Sequence, residues 1–520
     1  MPTLIPFDLT QNDALNADWR EGFCWPLPAN RLYDIHAQLW QRFLRFASDL
    51  DDDHRDLALL GRTAALDALV EAAFLVQAEK GQPFLYGPPE LDILRGVETP
   101  ADRGTAGHHG KTGTLRHRVL RQIARTASWS SAATLLPNLL APRGIALSHN
   151  SLLRDYIKRN ACRVGFRHGD VFLEQLLAAS STSELTIDIR GLIERFLSEV
   201  IAFEDLDDDI QKRLRDLLRP ALRDSFEIAA NTITTLRSVK SLPDSIWTGT
   251  GARGPGRAIG LEVLRRGGEA WRFDHGGTAA LSDALAPFIV SELSVSSHVV
   301  MPTPEIAKSG AMAEAKAEAS AFRPVEILGH SGDPGLDVGA AAFRNTRSPE
   351  QRRRVLYVST AFYGFFQTST PVMPGVPYLE WQLRLIEALQ NLPIDLVCKP
   401  HPEGLLRGKV PPVEKLARVS NEPFEAALEF ADILVMDFPA STTFSIALTT
   451  DRPIVLFDFG LVPFNGTFAD KVNYRCRIIK PKYNAANQPL FDEKELAEAV
   501  CGGDDVANPD FFRTLFLGTP

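Results

Sequence analysis

The chain has 520 residues, is 45% hydrophobic and 23% charged, and carries a formal net charge of −9 at pH 7. That length exceeds one ordinary core and favours two α/β domains with extensions, while the acidic balance argues against a general nucleic-acid binder. Cys24, Cys162, Cys398, Cys476 and Cys501 are scattered with no C-x-x-C pair, so they offer neither a disulfide framework nor a zinc site and fit a reducing cytosol.

From the start of the sequence, M-P-T-L-I-P-F-D-L-T lacks the basic and apolar regions of a signal peptide. No apolar run approaches the ~18 residues that span a bilayer. The expected location is cytoplasmic, compatible with peripheral contact at the inner membrane face. Apolar residues at three- and four-residue spacing predict helices over Leu32–Leu50 and Leu57–Gln77, separated by the acidic turn D-L-D-D-D-H. A short strand is expected at Pro83–Tyr86, and residues 1–120 as a whole read as a mainly helical N-terminal extension. The Gly-rich loop Glu98–Gly113 contains G-K-T, but a phosphate loop of the Walker type needs glycine five places before Gly110, where Thr105 stands.

Residues 121–305 read as a first Rossmann-like domain, on the acceptor side. Short helices and a strand at Arg163–Phe166 lead into R-H-G-D, and helices follow over Ile187–Phe203 and Ile210–Leu236. A strand–loop–helix–strand unit comes next: S-I-W-T, G-T-G-A-R-G-P-G, R-A-I-G-L-E-V-L-R-R, then E-A-W-R-F-D-H-G-G. A helix over Thr278–Phe288 and a strand over Ser297–Met301 close this domain. Residues 306–350 change to an Ala-rich helix with little apolar face and then to turn-rich sequence, which predicts a linker. Residues 351–520 read as a second Rossmann-like domain, on the nucleotide-donor side. It has a strand at 355–360, a helix over Tyr378–Leu392, strands at Leu396–Cys398 and Ile433–Met436, and C-terminal helices at Glu493–Cys501 and Pro509–Leu517.

Four constellations carry candidate chemistry. K-P-H-P-E-G at a strand end offers Lys399 as a point charge, His401 as a donor held between two prolines, and Glu403 beside them; a surface turn explains the same residues. D-F-P-A-S-T-T-F-S places Asp437 at a strand end and Ser441 and Thr442 at a helix start, an anion site or an ordinary helix cap. G-T-G-A-R-G, with Gly249, Gly251 and Arg253, matches the dinucleotide fingerprint and has Asp274 twenty residues beyond Gly254; its first strand is short and it lies deep in the chain, and a Gly-rich turn lining a substrate cleft explains the same residues. F-D-H-G-G sets Asp274 beside His275, a general base with an orienting carboxylate or a Gly-rich turn, and His168 in R-H-G-D is a secondary candidate. The acidic runs at 51–54 and 207–209 read as solvated helix caps and not as metal ligands.

Together these residues resemble GT-B glycosyltransferases, in particular bacterial surface-carbohydrate enzymes that use CMP- or CDP-activated donors. These include the CDP-glycerol glycerophosphotransferases and the CMP-Kdo and CMP-sialic acid transferases. K-P-H-P-E-G looks like their H-P donor motif, A-D-I-L-V-M-D-F-P-A-S-T-T-F-S-I-A-L like their acid and hydroxyl-pair segment, and F-D-H-G-G like their His-Gly loop. The resemblance implies an α/β fold of two Rossmann-like domains facing across a cleft. It implies His275, with Asp274, as the base for an acceptor hydroxyl, and Lys399, His401, Glu403, Asp437, Ser441 and Thr442 as donor-binding residues. Gly249, Gly251, Arg253 and His168 would line the acceptor side. It further implies no metal or cofactor, a nucleotide-sugar donor, and a glycan, lipid-linked or protein acceptor. A UDP-sugar 2-epimerase-like enzyme, a nicotinamide-dependent oxidoreductase using Gly249–Gly254, and a non-catalytic scaffold are the alternatives.

Overall fold

The computed structural model describes residues 20, 25, 28–61, 123–124, 126–131, 133–178, 187–202, 208–249, 254–338, 351–362, 373, 375–404, 411–502 and 508–519. Within them lie two six-stranded sheets whose paired strands are all parallel. The first contains β1 (Gly144–Ala146), β2 (Val164–Phe166), β3 (Ser245–Thr248), β4 (Glu269–Phe273), β5 (His298–Met301) and β6 (Glu326–Gly329), in the order β2-β1-β3-β4-β5-β6. The second contains β7 (Arg353–Val358), β8 (Ile394–Lys399), β9 (Arg418–Val419), β10 (Ile433–Met436), β11 (Ile454–Phe457) and β12 (Arg477–Ile479), in the order β12-β11-β10-β7-β8-β9. The chain is therefore α/β, consistent with two Rossmann-like domains.

The second sheet forms where the sequence is least ambiguous. I-L-V-M and I-V-L-F are buried at every position, as strands covered by helices on both faces must be. The first sheet has shorter strands, and β1 arises from G-I-A, a stretch expected to be helical or irregular. Ile145 and its neighbour Leu147 pack on one side with Ile246 and Ile259, while Ala146 faces Phe166 and Trp247 on the other.

Four expectations need correction. The N-terminal helices Ala29–Ser48 and Asp52–Leu60 are not an appendage: Phe43 and Phe46 pack edge-on against Phe196, at 6.1 and 5.5 Å between ring centres, within a core that runs through both halves. The second of these helices starts earlier than the apolar spacing suggested, because Asp51 in the acidic turn accepts from the backbone N–H groups of Asp53 and His54. The predicted helix Thr278–Phe288 is split into Thr278–Leu281 and Leu285–Ser291. Between them the backbone turns aside to the second half: Asp283 N–H donates to Pro463 O at 3.0 Å, and Asn465 N–H to Leu281 O at 2.7 Å. Most of the predicted linker 306–350 is a working part of the first half. The helix Gly310–Ala319 buries Ala311, Met312, Ala315 and Ala319, whose small side chains allow close approach, and β6 then completes the sheet. The expected strand at Pro83–Tyr86, most of the helix Leu57–Gln77 and the Glu98–Gly113 loop lie outside the described residues.

The two halves also exchange ends. Trp25 is buried in the second half's core, with its indole N–H donating to Glu380 Oε2 at 3.0 Å. The helix Asp510–Leu517 returns to the first half, where Thr303 Oγ1 donates to Leu515 O at 2.7 Å and Asp333 N–H to Phe516 O at 2.8 Å.

Candidate functional site

In parallel sheets the loops beyond the carboxyl ends of the strands form the ligand crevice, deepest where the strand order reverses direction. Those points lie between β1 and β3 in the first sheet and between β7 and β10 in the second.

In the first sheet the loop after β1 ends in Asn150. Its Oδ1 caps the helix Ser151–Arg159 by accepting from Leu153 N–H, and its Nδ2 donates to the carbonyls of Gly249, Phe273 and Asp274 at 3.1, 3.2 and 2.8 Å. One side chain thus ties the ends of β3 and β4 to the loop after β1. Gly249 is needed for that crossing, because a Cβ there would press on the backbone of His149 and Asn150 at 3.0–3.1 Å. Its role in the fingerprint is thus explained by loop packing; Gly251 and Arg253 lie outside the described residues.

After β4 the chain reverses through Gly276 (φ 84°) and Gly277 (φ 73°), left-handed conformations that a side chain disfavours. Asp274 is buried, and its Oδ2 accepts from Gly277 N–H at 2.6 Å. His275 is thrown outward and is exposed. The expected Asp274–His275 pair is therefore corrected: no hydrogen bond joins the two side chains, because the carboxylate is spent on closing its own turn. Burial, reinforced by nearby Asp333, pushes the Asp274 carboxyl up to about 7, against the lowering effect of the Gly277 bond.

In the second sheet β8 delivers Lys399, buried, with Nζ donating to Pro400 O at 3.1 Å; burial holds its pKa below the usual lysine value. The ring of His401 accepts at Nδ1 from Glu403 N–H at 3.1 Å, so the neutral imidazole carries its proton on Nε2. Burial lowers the His401 pKa, which favours that neutral form. Glu403 itself points to solvent.

Beyond β10, Asp437 does not line the crevice as expected. Its carboxylate is buried against the helix Gly375–Gln390, where it accepts from Tyr357 Oη at 2.5 Å, from Tyr378 Oη at 3.0 and 3.1 Å, and from Trp381 Nε1 at 3.3 Å. An acid at a strand end that finds three aromatic donors on the covering helix and the next strand turns inward. Burial raises it to about 6. Ser441 caps the helix Thr442–Thr449, with Oγ accepting from Phe444 N–H at 3.1 Å. At the far end of that helix the buried guanidinium of Arg475 donates to the carbonyls of Leu448, Ala447, Thr450 and Arg452, and Arg513 Nε to Thr449 O at 2.9 Å. The carbonyl end is thus neutralised, and the helix presents its positive N-terminus to the crevice.

The two halves meet at these motifs. Gly276 lies against Thr442 so closely that a Cβ on it would collide with the threonine side chain and stand 3.0 Å from Thr442 Cα. Gly277 is packed in the same way on Phe516 of the returning C-terminal helix. His275, Ser441 and Thr442 are therefore brought together, while Lys399 and His401 stand on the other side of β7, two strand spacings or about 10 Å from the β10 loop. His168 is not part of the group. It follows edge strand β2, three spacings or about 15 Å from β4, and its Nδ1 sits 3.3 Å from Asp170.

Sequence reasoning missed Asn150 and Asp333. Asn150 carried a signal, since it precedes the apolar-periodic S-L-L-R-D-Y-I as a helix cap does. Asp333, in G-H-S-G-D-P-G, announced only a turn. Among the described residues no group of three or more His, Cys, Asp and Glu side chains forms a metal site, and no helix is long and apolar enough to cross a membrane. No family model matches the chain, and no curated protein matches it.

Proposed function

We propose that this chain is a GT-B-type transferase that moves a sugar or polyol phosphate from a cytidine-nucleotide-activated donor to a hydroxyl of a carbohydrate acceptor. The observation that carries this reading is the apposition of the His275–Gly276 loop after β4 with the Ser441–Thr442 helix start after β10, two strand-end loops from two parallel sheets. A positive helix N-terminus beside an exposed imidazole suits a reaction in which a nucleotide phosphate departs while a hydroxyl loses its proton. Lys399 and the Nε2–H of His401 supply further donors for the nucleotide end. The acceptor oxygen bonds to the activated carbon or phosphorus as the bond to the nucleotide phosphate breaks, and the hydroxyl proton passes to His275.

Thermal-shift titration with CMP, CDP, UDP and NAD tests this reading. A cytidine nucleotide should raise the melting temperature, and His401→Ala should weaken that response while His275→Ala preserves it and abolishes transfer. A response to NAD alone, or full turnover by His275→Ala, refutes the proposal.

A further inference from the structure

The helix Leu135–Leu140, which leads into β1, is built inside out. Its sequence is L-L-P-N-L-L, yet its buried residue is Asn138. Asn138 is 2% exposed, and its Nδ2 donates to Ser130 Oγ at 2.9 Å. Its carbonyl and the ring of Pro142 lie against Gly165 of edge strand β2, 3.0–3.3 Å from where a Cβ would stand. With that side docked, Leu136 and Leu140, four positions apart and so on one face, are 64% and 75% exposed. Leu135 and Leu139 are only half-buried. A helix that spends its buried side on an amide and turns its leucines to water presents a contact surface.

Charge indicates what covers it. The exposed Arg143 follows this helix directly, and its backbone N–H donates to Arg163 O at 2.9 Å. The guanidinium of Arg163 in turn donates to Ala141 O, at the helix end, at 2.5 Å. Two arginines therefore flank the C-terminal end of the leucine face. From Arg103 to Arg154 the sequence contains eight Lys and Arg and no Asp or Glu, in a chain whose net charge is −9. The next acid, Asp155, is taken up by Arg159 at 2.6 Å and His330 at 2.8 Å.

We infer that the leucine face of Leu135–Leu140, with Arg143 and Arg163, is a docking surface for the headgroup layer of an anionic lipid bilayer. The leucines enter the boundary between headgroups and acyl chains while the arginines meet lipid phosphates, and interfacial binding strengthens with both contributions. A second copy of this chain is a poorer occupant, because a two-fold contact through this face would bring the arginines of both copies together. The face lies at edge strand β2, three strand spacings from β4, so docking there leaves the loop bearing His275 uncovered.

Co-sedimentation of the full chain with sucrose-loaded vesicles tests this surface without any donor or acceptor, and so independently of the transferase reading. The vesicles are phosphatidylcholine alone, or phosphatidylcholine containing about one-quarter phosphatidylglycerol. The wild type should sediment with the anionic vesicles and not with the neutral ones, and added sodium chloride should weaken binding. Leu136→Ser combined with Leu140→Ser should lower the partition coefficient by roughly 30-fold. Arg143→Glu should lower it by roughly tenfold. Both leucines are exposed, so the double variant should keep the wild-type melting temperature; Arg143→Glu, also at an exposed position, carries the test if it does not. No sedimentation of the wild type, equal binding to neutral vesicles, or undiminished binding by both variants overturns the proposal. Light scattering provides the competing outcome: a wild-type dimer that the leucine variant converts to monomer, with no vesicle binding by either, would assign the face to a second copy and overturn it as well.

Discussion

Asp274 and Asp437 occupy equivalent places, each directly beyond the carboxyl end of a central parallel strand, and both are buried. They differ in how burial is answered. Asp437 accepts hydrogen bonds from three aromatic side chains and rises only to about 6; Asp274 has only backbone donors, Gly277 the closer and His275 the weaker, with a second acid nearby, and rises to about 7. Donors to the ionised form offset desolvation, and a like charge adds to it. The second half has thus turned its strand-end acid into a post that fixes β7, β10 and a covering helix. The first half instead keeps two buried acids, Asp274 and Asp333, near each other beside an exposed imidazole.

The comparison can be broken most sharply at Asp437. Asp437→Ala leaves Tyr357, Tyr378 and Trp381 with buried donors unmet, and should destabilise the protein by about 3 kcal/mol in urea unfolding. A loss below roughly 1 kcal/mol would show that Asp437 is no post. Next in size is Gly276→Ala, which forces a side chain into a left-handed conformation and against Thr442. It should cost about 2 kcal/mol and lower the melting temperature, with an accompanying loss of contact between the halves. The smallest effect tests Asp274 through pH. Its folded-state pKa of about 7 lies above the unfolded value, so the folded protein binds more protons between about pH 4 and 7, and stability falls as pH rises through that window. The limiting slope is about 1.4 kcal/mol per pH unit from this group. Asp274→Asn should flatten the urea midpoint against pH across that range, and an unchanged slope would place the strain elsewhere. Asp437, raised to about 6, contributes a decline of the same sign that ends nearer pH 6.

The second sheet was legible because strands buried on both faces read as unbroken apolar runs, such as Ile433–Met436 and Ile454–Phe457, each bounded by polar residues. The unit from Ser245 to Phe273 was equally clear, since its strand–helix–strand alternation is local. β1 was not, for three residues containing one large apolar side chain carry no period. The site divided along the same line. Ser441 and the outward throw of His275 follow from local turn and cap chemistry, whereas the inward turn of Asp437 depends on Tyr378 and Trp381, 59 and 56 positions earlier. Asp333 meets Ser151 across 182 residues, and no spacing rule reaches that far.

The exchange of ends has a consequence for synthesis on the ribosome. The first half contains β1 to β6 by residue 329, yet the helix that closes it, Asp510–Leu517, is made after the whole second sheet. During that interval Gly277 and Leu336 lack the phenylalanine they pack against, and the loop bearing Asp333 lacks its backbone acceptor. Trp25, in turn, is translated long before Glu380 exists to receive its N–H. Neither half therefore has all of its packing partners as it emerges, and the loops after β4 and β6 gain Phe516 only once the last helix has been made.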